Sequence, residues 1–247
     1  MDVKSLVPAP FKRIYRGAGP AWRGLWSRLG FNEASCSVRG LKITLGVDSE
    51  FEHIRAGTYA EKEPETLDWL DTRLRPADVL FDIGANVGLY SIYAAKRIPA
   101  CTVYAFEPAA PNIESLCRNI ALNGLSNVVP CTFALSDKTG FALLHLSSLE
   151  KGAALHALDG EHDFKPASGP ALRQGAFAVT LDEAVASFGL PQPTLLKLDV
   201  DGIEEKIARG GAAVLASPSL RSVLVECVRA DEAASSSLEE LLRKADI

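Results

Sequence analysis

The sequence predicts an α/β fold: a doubly wound, Rossmann-like parallel sheet with a small N-terminal extension of helix and β-hairpin. Three observations carry this. From Val79 onward, short, almost continuously apolar β-rich runs alternate with helical patterns, as strands covered on both faces require. The connections between them are short, which favours βαβ crossovers. A glycine-rich turn, "DIGANVG" at 82–88, separates the first of these strands from a helix, the place where open α/β sheets bind ligands.

In order along the chain, residues 36–47 (CSVRGLKITLGV) read as a small hairpin ahead of the main sheet. Strands are expected at 79–83 (VLFDI), 102–106 (TVYAF), 128–134 (VVPCTFA), 194–198 (TLLKL) and 222–227 (SVLVEC). A helix at 88–98 follows the glycine turn. The next, 111–122, places Ile113, Leu116, Cys117 and Ile120 on one face, with Pro111 in its first turn and Gly124 just past its end, both suited to helix boundaries. A helical stretch at 203–215 is broken by Gly210-Gly211, and 237–245 opens on Ser237-x-x-Glu240, a capping-box pattern. Residues 147–176 break the rhythm between strand-like 141–146 and 176–180. Long irregular insertions of this kind are lids, binding loops or disordered segments. The boundary is placed at 58/59, giving an extension over 1–58 and a doubly wound domain over 59–247.

Composition bounds the class. Of 247 residues, 47% are hydrophobic and 23% charged, as in an ordinary soluble globular protein. No apolar run approaches the roughly 20 residues that span a bilayer, and no secretory signal is visible. The cysteines at 36, 101, 117, 131 and 227 are odd in number and form no CxxC pair, which points to free thiols in a cytoplasmic setting rather than a zinc site or disulfide framework. The net charge of −5 argues against nucleic acid as the main partner. Within residues 1–30, six basic side chains face Asp2 alone, leaving −10 on the remainder. Trp22, Leu25, Trp26 and Leu29 form an apolar stripe there, readable as a helix on an acidic membrane surface or as a helix packed on the domain, the second favoured.

For an isolated glycine pair, a plain positive-φ turn would suffice. Here the turn follows a buried strand, opens a helix, and is joined by Glu107, which ends the next strand 25 residues after Asp82. An acid at that point can accept hydrogen bonds from both ribose hydroxyls of an adenosine-containing cofactor. A dinucleotide turn reads GxGxxG, whereas the spacing from Gly84 gives G-x-N-x-G. Asp82, just before the turn, would repel a pyrophosphate: two like charges about 4 Å apart cost on the order of 4 kcal/mol at an effective dielectric of 20. S-adenosylmethionine has no phosphate and carries an ammonium, a sulfonium and one carboxylate. Asp82 would neutralise its cationic end, while turn N–H groups and Asn86 would meet its carboxylate.

The chain also resembles the FkbM-type S-adenosylmethionine-dependent methyltransferases. The matching stretches, in family order, are "DIGANVG" (82–88), "VYAFEP" (103–108), "NIALNGLSNV" (119–128), "ALSD" (134–137), "TLDE" (180–183), "LLKLDVDGIE" (195–204) and "LVE" (224–226). They cover about two thirds of the chain. The resemblance implies a class I methyltransferase fold and methyl transfer to a hydroxyl of a sugar or secondary metabolite. It implies cofactor contacts from Asp82, Gly84, Ala85, Asn86, Gly88, Glu107 and Pro108, with Asp137 near the adenine amine. The chain differs from the family pattern at Asp201, usually glutamate, and at Ile203, usually small, so an altered acceptor side is expected. A seven-stranded methyltransferase sheet ends in a β-hairpin for which no residues remain after 237–245, and the domain is expected without it.

"KLDVDGIEE" places Lys197, Asp199, Asp201, Glu204 and Glu205 at the carboxyl end of a buried strand. Asp199 or Glu204 could accept the acceptor's hydroxyl proton, with Lys197 beside them as the third catalytic candidate. The acids could instead hold a divalent cation, or merely favour a helix N-terminus. A metal-free base is preferred, since no histidine lies nearby in sequence. His156 and His162 fall in the 147–176 excursion, where solvated loop histidines are the plainer reading and a base over the acceptor the sharper one. Two rival functions stay open: an NAD-dependent oxidoreductase, disfavoured by Asn86 and Asp82, and a cofactor-binding protein without turnover.

Overall fold

A computed structural model of the protein describes residues 32–159 and 170–226. The basic helix expected in 1–30, His162, Cys227, the helix at 237–245 and the question of a last hairpin lie outside the described residues. Among the described residues, no helix is long and apolar enough to cross a membrane.

The described chain opens with the expected hairpin, β1 (Glu33–Val38) and β2 (Leu41–Gly46). Its turn residues Arg39 and Gly40 both have positive φ, 47° and 83°, the geometry that matches strand twist in two-residue loops. Two helices follow, α1 (Glu50–Lys62) and α2 (Pro64–Arg73). Ser49 and Glu52 close a full capping box on α1, and Pro64 occupies the first turn of α2, so both starts are encoded locally. Because α1 runs through residue 58, the boundary at 58/59 cuts a helix. The hairpin is also no appendage: Val38, Ile43 and Leu45 share one core with Tyr59, Leu80, Ile92 and Leu116.

The central elements follow as β3 (Val79–Ile83), α3 (Leu89–Arg97), β4 (Thr102–Phe106), α4 (Ala110–Leu122) and β5 (Val128–Cys131). Asn119 on α4 is fully buried; its carbonyl oxygen accepts the Gly46 N–H (2.7 Å) and its amide donates to Val87 O (2.9 Å). One side chain thereby ties the hairpin to the glycine turn.

The run expected as a single strand at 128–134 divides. β5 is a sheet edge, where Pro130 can sit without a ladder donor. After Thr132-Phe133 the chain enters a second sheet, made of β6 (Ala134–Ser136), β7 (Gly140–Leu146), β8 (Ala157–Leu158) and β9 (Leu172–Thr180). The 147–176 excursion therefore contributes β8 and the first part of β9. Residues 151–153 near its start are held down: Ser49 donates to Lys151 O (2.5 Å), Asn112 accepts the Gly152 N–H (2.8 Å), and Asn86 and Asn112 both donate to Ala153 O (2.8 and 3.1 Å).

The chain closes with α5 (Leu181–Ala186), β10 (Leu195–Leu198), α6 (Glu204–Arg209), α7 (Ala212–Leu215) and β11 (Ser222–Val225). The five-stranded sheet has the order β11-β10-β3-β4-β5 and is parallel throughout. Leu80, Val103 and Leu195 face the hairpin and the α1–α4 side; Phe81, Phe106 and Leu196 face Leu181, Ile207 and Val214 of α5–α7. The strand order reverses between β3 and β10, the switch point at which doubly wound sheets open a crevice.

Candidate active site

A cavity of about 260 Å³ lies at that switch point. Its floor is the carboxyl ends of β3, β4 and β10, and residues 154–158 cover one side. Gly84, Ala85, Asn86, Glu107, Pro108 and Asp199 all line it, so the structure brings together six of the residues singled out from sequence.

The glycines act differently from the expectation of close ligand approach. Gly84 has φ 82°, and a Cβ there would stand 1.8 Å from Asp199 O; Gly88 has φ 87°, and its Cβ would meet Leu116 Cδ1 at 2.4 Å. The protein's own backbone and core demand both glycines. The turn's N–H groups are likewise engaged internally. Gly84 and Ala85 donate to Phe106 O (3.1 and 3.0 Å), Val87 to Asn86 Oδ1 (3.0 Å) and Gly88 to Ala85 O (2.8 Å). The Asn86 N–H serves the Glu107 carboxylate, and the Asn86 side-chain amide holds Ala153 O. The backbone donors of the turn, expected to meet a cofactor carboxylate, are thus engaged within the protein, and one N–H of the Asn86 amide with them.

Asp82 also departs from expectation. It is 0% exposed and does not line the cavity. Ser91 donates to its Oδ2 (2.5 Å), Lys197 Nζ stands 3.7 Å from Oδ1, and Oδ1 has no hydrogen bond. Burial raises its pKa, against the pull of Lys197 and Ser91. Asp82 thus braces the turn from beneath, because the strand's pleat turns it away from the crevice. Asp137 lines a separate groove with Lys138 and Lys206. In its place the cavity wall is made by Phe133, Ala134 and Leu135.

Glu107 stands just past the end of β4. It is buried on the cavity wall, and its Oε1 accepts the Ala109 N–H (2.8 Å). Burial lifts its pKa to about 7 despite backbone N–H donors from Ala109 and Asn86.

The acidic cluster resolves into separate roles. Lys197 is buried and donates to Asp199 Oδ2 (2.5 Å) while lying over the Tyr90 ring. Burial opposes its charge, but Asp199 and Asp82 outweigh that and raise its pKa. Lys197 supports Asp199 from behind and does not itself line the cavity. Glu204 does not line it either; its Oε1 turns back to the Gly202 N–H (3.3 Å) after the left-handed Gly202, φ 100°. Asp201 lines the cavity instead and accepts the Leu155 N–H (2.5 Å) from the covering segment.

Sequence reasoning missed Glu226. The register Leu198↔Val225 between β10 and β11 sets it beside Asp199, and both line the cavity. Burial works against Asp199's charge, yet Lys197 and a hydrogen bond from Glu226 hold it down at about 2. The same hydrogen bond, then burial and the charge of Asp199, push Glu226 up to about 8. The two carboxyls therefore share one proton over most of the pH range. Glu63, Arg55 and His156, also unforeseen as cavity residues or left as loop side chains, complete the lining. Burial and then Arg55 lower His156 to about 4, and its Nδ1 faces the Ser147 N–H at 3.2 Å. It is a neutral ring and a weak base. Among the described residues, no three histidine, cysteine or acidic side chains are grouped as a metal would require.

Glu63, Glu107, Asp199, Asp201 and Glu226 outnumber Arg55 and Lys62 around the cavity. That donor set fits a net-cationic adenosyl ligand and disfavours a pyrophosphate. The fold and site define a Rossmann-like, doubly wound domain whose crevice suits an adenosyl ligand. The comparisons make this particular: residues 82–243 match the methyltransferase FkbM domain family, and the chain belongs to that family. It is 28% identical over 176 residues to the 31-O-demethyl-FK506 methyltransferase FkbM of Streptomyces tacrolimicus, covering 62% of this chain and 66% of that protein. It is 28% identical over 150 residues to the hexuronic acid methyltransferase AglP of Haloferax volcanii, covering 60% and 55%. A crystal structure of an FkbM methyltransferase from Methylobacillus flagellatus aligns with TM-score 0.42 and 14% identity, covering 79% of this chain and 48% of that one. These matches span about half to two thirds of the relatives' length.

Proposed function

We propose that the protein methylates a hydroxyl oxygen of a sugar or other small molecule, using S-adenosylmethionine. The observation that carries this is the Asp199–Glu226 pair on the cavity wall, with Lys197 behind it. The names of the relatives support a small-molecule acceptor, one being a 31-O-demethyl-FK506 methyltransferase and one a hexuronic acid methyltransferase, and the first of them supports an oxygen. When bound, the cofactor supplies an electrophilic methyl group. Glu107 would accept from its ribose hydroxyls, and Phe133, Leu135 and Leu158 offer an apolar wall for its base.

The chain's own part is to hold the acceptor and take its proton. Lys197 keeps Asp199 ionised, and ionised Asp199 makes Glu226 reluctant to lose its proton below about pH 8. Once that second proton has gone, the pair is a base strong enough to draw a hydroxyl proton at mildly alkaline pH. Asp199, one of the two candidate bases read from the sequence, is held ionised at about 2 and is a weak base by itself. It acts here as the group that tunes its neighbour.

Product formation on a panel of hydroxylated sugars and metabolites tests the reading, with Asp199→Asn and Glu226→Gln alongside the wild type. Turnover on at least one hydroxyl acceptor, reduced roughly 10²–10⁴-fold in both variants, is expected. Cofactor binding without product on any acceptor would favour a binding protein. Activity lost to a chelator and restored by Mg²⁺ would replace the carboxylate base with a metal.

A further inference from the structure

The cofactor's amino-acid end carries a carboxylate, and a carboxylate in a cavity dominated by acids needs a cation or several N–H donors. The glycine turn cannot supply them, since the N–H groups of residues 84–88 all have partners within the protein. One N–H of the Asn86 amide is held by Ala153 O, and the other is neutral and brings no charge to a carboxylate. His156 is uncharged and its Nδ1 lies against Ser147. Lys62 is ion-paired with Glu63, and its side chain is 48% exposed.

Arg55 remains. It projects from α1 into the cavity lining, and its Nε donates to Gly152 O (2.8 Å). The next carbonyl, Ala153 O, is the one held by Asn86. The guanidinium is thus fixed to the segment that touches the glycine turn, on the turn's side of the cavity. Among the described residues no carboxylate is in salt-bridge contact with it, although the charges of Asp199, Glu63 and Glu107 act on it and offset part of the burial that lowers its pKa. With Nε committed, its terminal nitrogens keep the geometry for bidentate carboxylate recognition.

We propose that Arg55 is the anchor for the carboxylate of the cofactor's amino-acid moiety. This rests on the S-adenosylmethionine reading and is independent of which acceptor is methylated. It also gives the cavity a sense of direction: one fixed cation takes the ligand's single anionic group, on the side of the cavity where Gly152 holds Arg55.

Isothermal titration of the full chain with S-adenosylmethionine and with decarboxylated S-adenosylmethionine isolates the carboxylate. In Arg55→Gln, affinity for S-adenosylmethionine should fall about ten- to a hundredfold, the range of a lost charge-assisted bond, while affinity for the decarboxylated compound stays within about twofold. Arg55→Lys keeps the charge without the fork, so its loss should be intermediate and confined to the carboxylate-bearing ligand. If Arg55→Gln fails to fold, Arg55→Lys carries the test by the same differential. Unchanged affinity for S-adenosylmethionine, or equal losses for the two ligands, would overturn the assignment while the methyltransferase reading stands. A wild type that binds neither ligand would remove the cofactor reading itself and this inference with it.

Discussion

Replacing Glu107 by glutamine tests the cofactor site through its proton. In the ligand-free protein the Glu107 carboxyl is held near 7 against an ordinary 4.5, mainly by burial. For an acid raised on folding, the unfolded chain ionises first, so between those two values the folded state binds more protons. Stability therefore falls as pH rises from about 4.5 through 7. At about 1.4 kcal/mol per unit, the penalty above pH 7 is about 3 kcal/mol. Only the ionised form can accept from two ribose hydroxyls at once. If it alone binds the cofactor, apparent affinity should rise about tenfold between pH 6 and pH 8. Glutamine removes the titration, so cofactor affinity should become flat across that window and about ten- to a hundredfold weaker at pH 8. Without ligand, the variant should lose the wild type's fall in stability between about pH 5 and pH 8, since the titrating group is gone. Calorimetric titration with S-adenosylhomocysteine at three pH values, with melting curves alongside, reads all of this. A pH-independent wild-type affinity together with a fully competent Glu107→Gln would refute the reasoning.

Three further outcomes are expected. Glu226→Gln should abolish the rise of kcat toward about pH 8 and leave a slow, flat profile, measured by product formation across pH 6–9. Lys197→Met would strand Asp82 and Asp199 without their shared cation; removing one partner of a buried pair costs about 3–5 kcal/mol, and chemical denaturation should show a loss of that order. Gly84→Ala would drive a Cβ into Asp199 O at a left-handed φ. Its stability should drop by well over the roughly 1 kcal/mol of the backbone term alone, with cofactor binding lost as β3 and β10 are pushed apart. A Gly84→Ala protein that melts like the wild type would contradict this packing account.

Much of the fold was legible because its determinants are local. The buried strands at 79–83 and 102–106 stand where apolar runs announced them, and the helices on either side of Gly210-Gly211 break where the glycines fall. α1 was equally encoded, by Ser49-x-x-Glu52, a pattern recognised at Ser237 and overlooked here. The split of 128–134 into β5 and β6 was less accessible, because which sheet each half joins depends on partners far along the chain.

The sequence by itself determined that an acid at the end of the second buried strand and a glycine turn after the first would meet at one crevice, and Glu107 with Gly84–Asn86 does line it. Only the tertiary structure decided which charged groups face that crevice. A strand's two-residue period gives each side chain a face, but which face is covered depends on what packs there. Asp82 lies beneath the turn, on Lys197 and Ser91, for that reason. Glu226 reaches Asp199 across 27 positions of sequence through the register of two parallel strands. Arg55 reaches the turn through Gly152, almost a hundred residues away. Pairings of this kind leave no periodicity for a sequence to show, because they are set by the packing of segments whose separation along the chain says nothing of their separation in space.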